Sequence, residues 1–260
     1  MIVPNERATI GRASWEGGAL QLSVDITFSH GKKTVLSAQF SIKQQRSHVA
    51  VLFGPSGAGK SRLLHSIAGI VQPTSGSIYR GEFCWFDSEK QIVLPPQKRS
   101  IGLLFQDYSL FPHLNVFENI AYGLSKPVDA HLTVREWLKR FRLEEKGKQA
   151  PHLLSGGERQ RIALAQTLAP KPSLVLLDEP FSALDFNTVK ALHHDLQELW
   201  AQWKATTLFV SHDPEEAIFL GDKVVVLSGP PLKIEEIIPV NLPRPRTPEM
   251  VQSEEFLQLK

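Results

Sequence analysis

The sequence predicts an α/β fold: a parallel, helix-covered sheet, an antiparallel β subdomain on its N-terminal side, and an α-helical subdomain inserted into it. Three observations carry that reading. Apolar runs of strand length recur along the chain, each followed by apolar residues at helical spacing. Two β-like runs separated by a short turn come first. A long central stretch shows helical patterns and no convincing strand.

Residues 20–28 and 35–42 are the two β-like runs, and Ser29-His30-Gly31-Lys32-Lys33 between them reads as a turn, so a hairpin follows. Residues 49–53 form a continuous apolar run of buried-strand length. It enters a glycine-rich turn and then the helical pattern Leu63, Leu64, Ile67, Ala68. The alternation returns with strand 174–177, helix 189–200, strand 207–210, helix 215–220 and strand 224–227. Between these halves, residues 117–169 carry helical patterns at 134–141 and 157–168, which places the inserted helical subdomain at about 112–170. Residues 229–260 are proline-rich, with Pro230, Pro231, Pro243, Pro245 and Pro248, and read as a tail that wraps the surface.

Composition excludes several classes. Hydrophobic residues make up 42% and charged residues 22%, ordinary values for a folded domain. Net charge is +2 with no long basic run, so no nucleic-acid partner is expected. Cys84 is the single cysteine; it allows no intrachain disulfide, suits a reducing compartment and reads as a small core residue. No stretch reaches the roughly 18 apolar residues of a membrane span, and Met1 to Asn5 lead into no signal-peptide core. The chain is expected inside the cell, reaching a membrane only by docking on another subunit.

The chemistry concentrates in three places. Gly54-Pro55-Ser56-Gly57-Ala58-Gly59-Lys60-Ser61 follows a strand and opens a helix, the context of a P-loop. Its glycines let backbone N–H groups turn towards phosphate oxygens, and the helix N-terminus adds positive dipole. Lys60 reaches the β- and γ-phosphates, and Ser61 offers a hydroxyl to Mg²⁺. The second place is the strand 174–177 running into Asp178-Glu179-Pro180. Asp178 serves the metal, directly or through water. Glu179 is then placed as the general base for the attacking water. The third is Leu154-Ser155-Gly156-Gly157-Glu158-Arg159-Gln160, with Ser155 at an N-cap and a helix running on to Leu168. One nucleotide does not need two such anion-binding helix starts from one chain, so this one serves a nucleotide held by another copy.

That third segment is identical to the signature sequence of ABC ATPases, and the resemblance runs from about residue 20 to 240. The hallmarks stand in order: the P-loop at Gly54, a Q-loop at Gln106, the signature at Ser155, the Walker B pair Asp178 and Glu179, a D-loop Ser182-Ala183-Leu184-Asp185, and the switch histidine His212. The resemblance implies a P-loop NTPase core of the ABC ATPase type over residues 1–228 that binds and hydrolyses ATP with Mg²⁺. It implies a head-to-tail homodimer, or a pairing with a second ATPase subunit, with ATP between one P-loop and the opposite Ser155, Gly156, Gly157 and Gln160. Gln106 would sense Mg²⁺ and water, His212 would bond the γ-phosphate and hold Glu179, and Asp185 would bridge the dimer.

Two positions depart from the family. Arg62 follows Ser61 where a threonine usually approaches the α-phosphate, so that contact is lost or replaced by a charge. The adenine-stacking aromatic is open between Phe28 and His30, with core packing the other reading of Phe28.

The absence of membrane spans in the chain favours an importer, working from the cytoplasmic face of the inner membrane with separate permease subunits and, indirectly, a periplasmic or surface substrate-binding protein. Leu94-Pro95-Pro96-Gln97-Lys98-Arg99 and Leu110-Phe111-Pro112-His113 resemble ATPases of molybdate, sulfate, polyamine and sugar importers. The segment Leu242-Pro243-Arg244-Pro245-Arg246 resembles those of nitrate, taurine and sulfonate importers. A small anion such as molybdate, nitrate or a sulfonate is the shared expectation. With only a short tail after the core, the extra regulatory domain of several relatives is not expected. The alternative class, a soluble ABC ATPase acting on nucleic acid or ribosomes, would show a long coiled-coil insertion or two cassettes. Tyr108, Leu110, Phe111 and Pro112, just beyond Gln106, are expected to receive a helix of the membrane subunit, against a core-filling role for Leu110 and Phe111.

Overall fold

The computed structural model describes residues 21–31, 33–42, 48–124, 127–203 and 205–260, with backbone alone at 127–130. The readings of Met1 to Asn5, Leu20 and Lys32 lie outside the described residues.

Strands β1 (Leu22–His30) and β2 (Lys33–Ile42) form the expected antiparallel hairpin, pairing Leu22 with Ile42 and Phe28 with Leu36. Three strands that the sequence reading did not assign complete their sheet: β4 (Ser75–Arg80), β5 (Phe83–Asp87) and β6 (Ile92–Val93). The turn-like Ser-Gly-Ser start of β4 hides it, and the aromatic run of β5 lacks alternation.

The second sheet runs, in spatial order, β11 (Lys233–Pro239), β10 (Lys223–Ser228), β3 (His48–Phe53), β9 (Thr206–Ser211), β8 (Leu174–Asp178) and β7 (Ile101–Leu104). Its parallel part is β3, β7, β8, β9 and β10. Successive side chains alternate between two cores, as a sheet covered on both faces demands. Ala50, Leu52, Leu174 and Leu176 join the core shared with the antiparallel sheet and α1 (Lys60–Ala68), where Leu63, Leu64 and Ile67 are fully buried. Val49, Val51, Val175 and Leu177 join the opposite core, which includes the helical region.

That region holds α2 (Val116–Ala121), α3 (Pro127–Arg140) and α4 (Gly156–Leu168), with no strand among the described residues from 105 to 173. Helices α5 (Phe186–Gln202) and α6 (Pro214–Leu220) follow β8 and β9, capped by Asp185 and Asp213 respectively.

The tail corrects the expectation of a surface wrap. Its prolines cluster outside residues 232–238, leaving that stretch free to pair, and β11 (Lys233–Pro239) adds an antiparallel edge strand to β10. Further on, Arg246 is 3% exposed and its guanidinium donates to Ile218 O at 2.7 Å and Phe219 O at 3.2 Å, at the C-terminal end of α6. Gln197 of α5 exchanges two hydrogen bonds with the Arg246 backbone, at 2.8 and 2.9 Å. A final helix, α7 (Glu254–Leu259), buries Phe256 completely.

Candidate active site

Strand β3 delivers the glycine-rich loop against the base of β10. A Cβ on Gly54 would lie 2.4 Å from Leu227 O, so only glycine lets the strand turn there. Gly59, the N-cap of α1, has φ +104°, a conformation L side chains rarely adopt. Lys60 follows, 4% exposed, with Nζ donating to Gly54 O and Pro55 O at 2.8 Å each. Burial lowers its pKa, and Glu179 and Asp178 oppose that shift. The ammonium is held by weak neutral acceptors that phosphate oxygens can replace.

The order β3-β9-β8-β7 aligns the C-terminal ends of four parallel strands, the edge where open α/β sheets bind ligands. Ser61 Oγ donates to Asp178 Oδ1 at 2.9 Å, joining the P-loop to the end of β8. Asp178 is 1% exposed, and burial raises its pKa. Glu179 comes next with φ +48°, a left-handed backbone uncommon outside glycine. Gln106, after β7, brings Nε2 within 3.4 Å of Glu179 Oε2. His212, after β9, brings Nδ1 within 3.8 Å of Glu179 Oε1. Lys60, Ser61, Gln106, Asp178, Glu179 and His212, predicted from separate motifs, therefore stand together, with Gln106 contacting Glu179 in place of Asp178.

His65 completes the cluster without having been singled out in the sequence. Its Nε2 lies 3.5 Å from Asp178 Oδ2, and its ring centroid 5.5 Å from that of Phe105. No pattern marks it, because the contact depends on how α1 packs on β8.

The signature segment starts α4 as expected. Ser155 Oγ accepts from Glu158 N at 3.2 Å, and Glu158 Oε2 accepts from Ser155 N at 2.8 Å, a complete capping box. Among the described residues no hydrogen bond or ion pair links Ser155, Gly156 or Gly157 to the P-loop. Gln160 requires a correction. It is fully buried, donates to Glu179 O at 3.2 Å and accepts from Ala183 N at 3.2 Å, so it braces its own chain's Walker B and D-loop backbone and does not face outward. Apolar surroundings on α4 turn its amide inward, and spacing alone could not reveal that. Asp185 accepts from Thr188 Oγ1 at 2.6 Å and from Thr188 N and Asn187 N at 3.1 Å, which lowers its pKa while it caps α5.

Phe28 is 4% exposed and the Arg62 guanidinium lies 4.3 Å over its ring, so that face is covered. His30 is exposed at the end of β1. Beyond Gln106, Tyr108 and Leu110 pack partly on the core. Phe111 is half-buried, 4.2 Å between ring centroids from Tyr122, whose side chain is 66% exposed. Buried Asn119 fixes that loop: it accepts from Phe111 N at 2.8 Å and donates to Phe111 O at 3.1 Å and Leu114 O at 3.0 Å.

The sequence matches the ABC transporter family over residues 37–182. This chain belongs to the ABC transporter family. A sulfate/thiosulfate import ATP-binding protein of Chlorella vulgaris, CysA, is 46% identical over 182 residues, covering 68% of this chain and 75% of that protein. A spermidine/putrescine import ATP-binding protein of Aggregatibacter actinomycetemcomitans, PotA, is 39% identical, covering 78% of this chain but only 54% of that protein. Among solved structures, the ATP-binding cassette MJ0796, dimeric and bound to ADP and Pi, aligns with TM-score 0.69 and 26% identity over 85% of this chain and 99% of its own. The site is thus an ABC ATP-binding and hydrolysing site.

Its donors suit the cation such a site uses. A serine hydroxyl, a buried carboxylate and a side-chain amide are hard oxygen ligands of the kind Mg²⁺ takes, and Asp178 has no Lys or Arg within ion-pair distance among the described residues. No helix among the described residues is long and apolar enough to cross a membrane.

Proposed function

We propose that this chain is the ATP-hydrolysing subunit of an importer, driving separate permease subunits from the cytoplasmic face of the inner membrane. The observation that carries the reading is the Ser61–Asp178 hydrogen bond with Glu179 beside it. It brings a phosphate cradle, a metal-holding carboxylate and a candidate base to one strand edge. The import names of the two relatives support the direction of transport.

In this reading residues 54–61 wrap the triphosphate with backbone N–H groups, and Lys60 exchanges its two carbonyl partners for β- and γ-phosphate oxygens. Arg62, braced on Phe28, offers its charge to the α-phosphate. Ser61, Asp178 and Gln106 would hold Mg²⁺, which would neutralise phosphate charge when bound. Glu179 takes the proton of the attacking water, and His212 and Gln106 hold its carboxylate in place. Ser155, Gly156 and Gly157 close on the nucleotide of a second copy or a second ATPase subunit, and Asp185 lies at that interface. Phe111 and Tyr122 supply the aromatic face for the permease. A substrate-binding protein acts only through the permease, and no nucleic acid is involved. The cargo we favour is a small anion such as molybdate, nitrate or a sulfonate, the class to which CysA's sulfate and thiosulfate belong.

The test is copurification from membranes followed by transport in reconstituted vesicles. A membrane subunit in the complex and ATP-dependent uptake support the reading; RNA or DNA in its place contradicts it. Within that complex, Phe111→Asp should abolish uptake while ATP binding and melting temperature stay near wild type. A drop of many degrees would make Phe111 a core residue.

A further inference from the structure

Glu216 lies in the first turn of α6, one turn after the switch histidine, and is mostly buried. Its Oε2 accepts from Ser211 Oγ at 2.6 Å. Ser211 is 3% exposed, and its Oγ also accepts from Asp213 N at 3.0 Å. These two bonds bracket His212 on both sides. The imidazole itself is 58% exposed, and among the described residues its ion-pair approach is the 3.8 Å one to Glu179. The direction in which His212 points is therefore set by the bend of its backbone, and the bend is pinned by Ser211. Glu179, Ser211, His212, Asp213 and Glu216 line one cleft of about 270 Å³.

We propose that Glu216 is a positioning residue for ATP hydrolysis: by anchoring Ser211 it fixes the bend that aims His212 at Glu179. The inference rests on the proposed role of His212.

The chemistry of the position argues for it. No Lys, Arg or His lies within ion-pair distance of Glu216 among the described residues; its neighbours Asp213 and Glu179 are acidic, His212 is near, and Lys190 and His193 line a second cleft with it. Burial pushes its carboxyl up to about 7. An apolar side chain would fill the same space without that cost. What the carboxyl adds is a close acceptor, at 2.6 Å, for a hydroxyl proton whose alternative acceptor, Asp213 O, lies at 3.4 Å, while the hydroxyl's lone pair serves Asp213 N. Leucine cannot supply it, whereas the amide oxygen of glutamine can.

Steady-state ATP hydrolysis and thermal melting of the full chain carrying Glu216→Leu, Glu216→Gln and Ser211→Ala, each also in a His212→Ala background, test this. A loosened switch should lower kcat about tenfold or more, since misplacement of about 1 Å can cost 10²-fold. KM for ATP should stay within about twofold and the melting temperature should hold or rise. Glu216→Gln should recover most of the loss. In the His212→Ala background, Glu216→Leu should cost nothing further, because there is no imidazole left to aim. If Glu216→Leu keeps kcat within about twofold, or lowers it equally with and without His212, the positioning role is wrong. If His212→Ala alone retains wild-type kcat, the reading of His212 fails, and the role of Glu216 with it.

Discussion

The front edge of the large sheet and its rear differ in how they treat buried polar groups. At the front, Asp178 is buried against one serine and a histidine, Lys60 is tied to two neutral carbonyls, and Glu179 has a left-handed backbone. At the rear, Arg246 is buried to the same degree, yet its guanidinium meets carbonyls of Ile218, Phe219, Gly221 and Val240, and its backbone is paired with Gln197. Burial is costly in both places; at the front few partners offset it, whereas at the rear several carbonyls take up the guanidinium, leaving only Nε of Arg246 without a partner among the described residues. The sparsely partnered front is what a site awaiting a charged ligand looks like; the densely bonded rear is a clamp that holds α5 and α6 behind it.

The largest expected effect comes from the front. Glu179→Gln should cut turnover by on the order of 10²- to 10⁴-fold while ATP binding persists, because the amide fills the space but accepts no proton. Hydrolysis rate and equilibrium binding measured side by side check it. Near-normal turnover would remove Glu179 from the base role and blur the contrast between the two edges.

Breaking the rear should act on stability. Arg246→Met removes the donor for the last carbonyls of α6 and should cost about 2 to 4 kcal/mol. At roughly 2 to 4 °C per kcal/mol for a chain of this size, thermal melting would show it clearly. A melting temperature within a degree of wild type would mean that water serves those carbonyls as well.

A smaller effect separates the edges by pH. The carboxyl of Glu216 rises from 4.5 to about 7 in the folded chain, beside Asp213, Glu179 and His212. A raised carboxyl destabilises progressively as pH climbs from its unfolded value through its folded one, and the cost is then constant. Glu216→Leu should therefore be more stable than wild type by on the order of 2 kcal/mol above about pH 7, with the gain shrinking towards pH 4.5. Chemical denaturation at pH 5 and pH 7.5 reads the difference. A gain that is equal at both pH values would assign it to packing alone.

Legibility followed the same division. Lys60, Ser61, Asp178, Glu179 and His212 announce themselves because each follows an apolar run directly or across a glycine-rich turn, so strand, turn and chemistry are encoded in one short stretch of sequence. What joins them, such as the Ser61–Asp178 bond across 117 positions, follows from strand order. Gln160 and His65 were misread or missed because their partners lie on other elements. Arg246 and β11 were hidden by the prolines around them, which suggest loop while leaving residues 232–238 free to pair. Asn119 and Glu216 are polar residues on short helices, and only burial with specific partners separates them from surface side chains.

The central claim is that the front edge is half of a site whose other half, Ser155 with Gly156 and Gly157, acts on the nucleotide of a second cassette. Mixing two inactive variants tests it most directly. Lys60→Ala disables the phosphate cradle, and Ser155→Arg blocks closure on the opposite nucleotide while leaving binding intact. Each alone should hydrolyse no ATP. In a mixed dimer, one of the two composite sites keeps both halves, so hydrolysis should return in part. Absence of any rescue in a verified heterodimer, or full activity of Ser155→Arg alone, would contradict a site shared between chains.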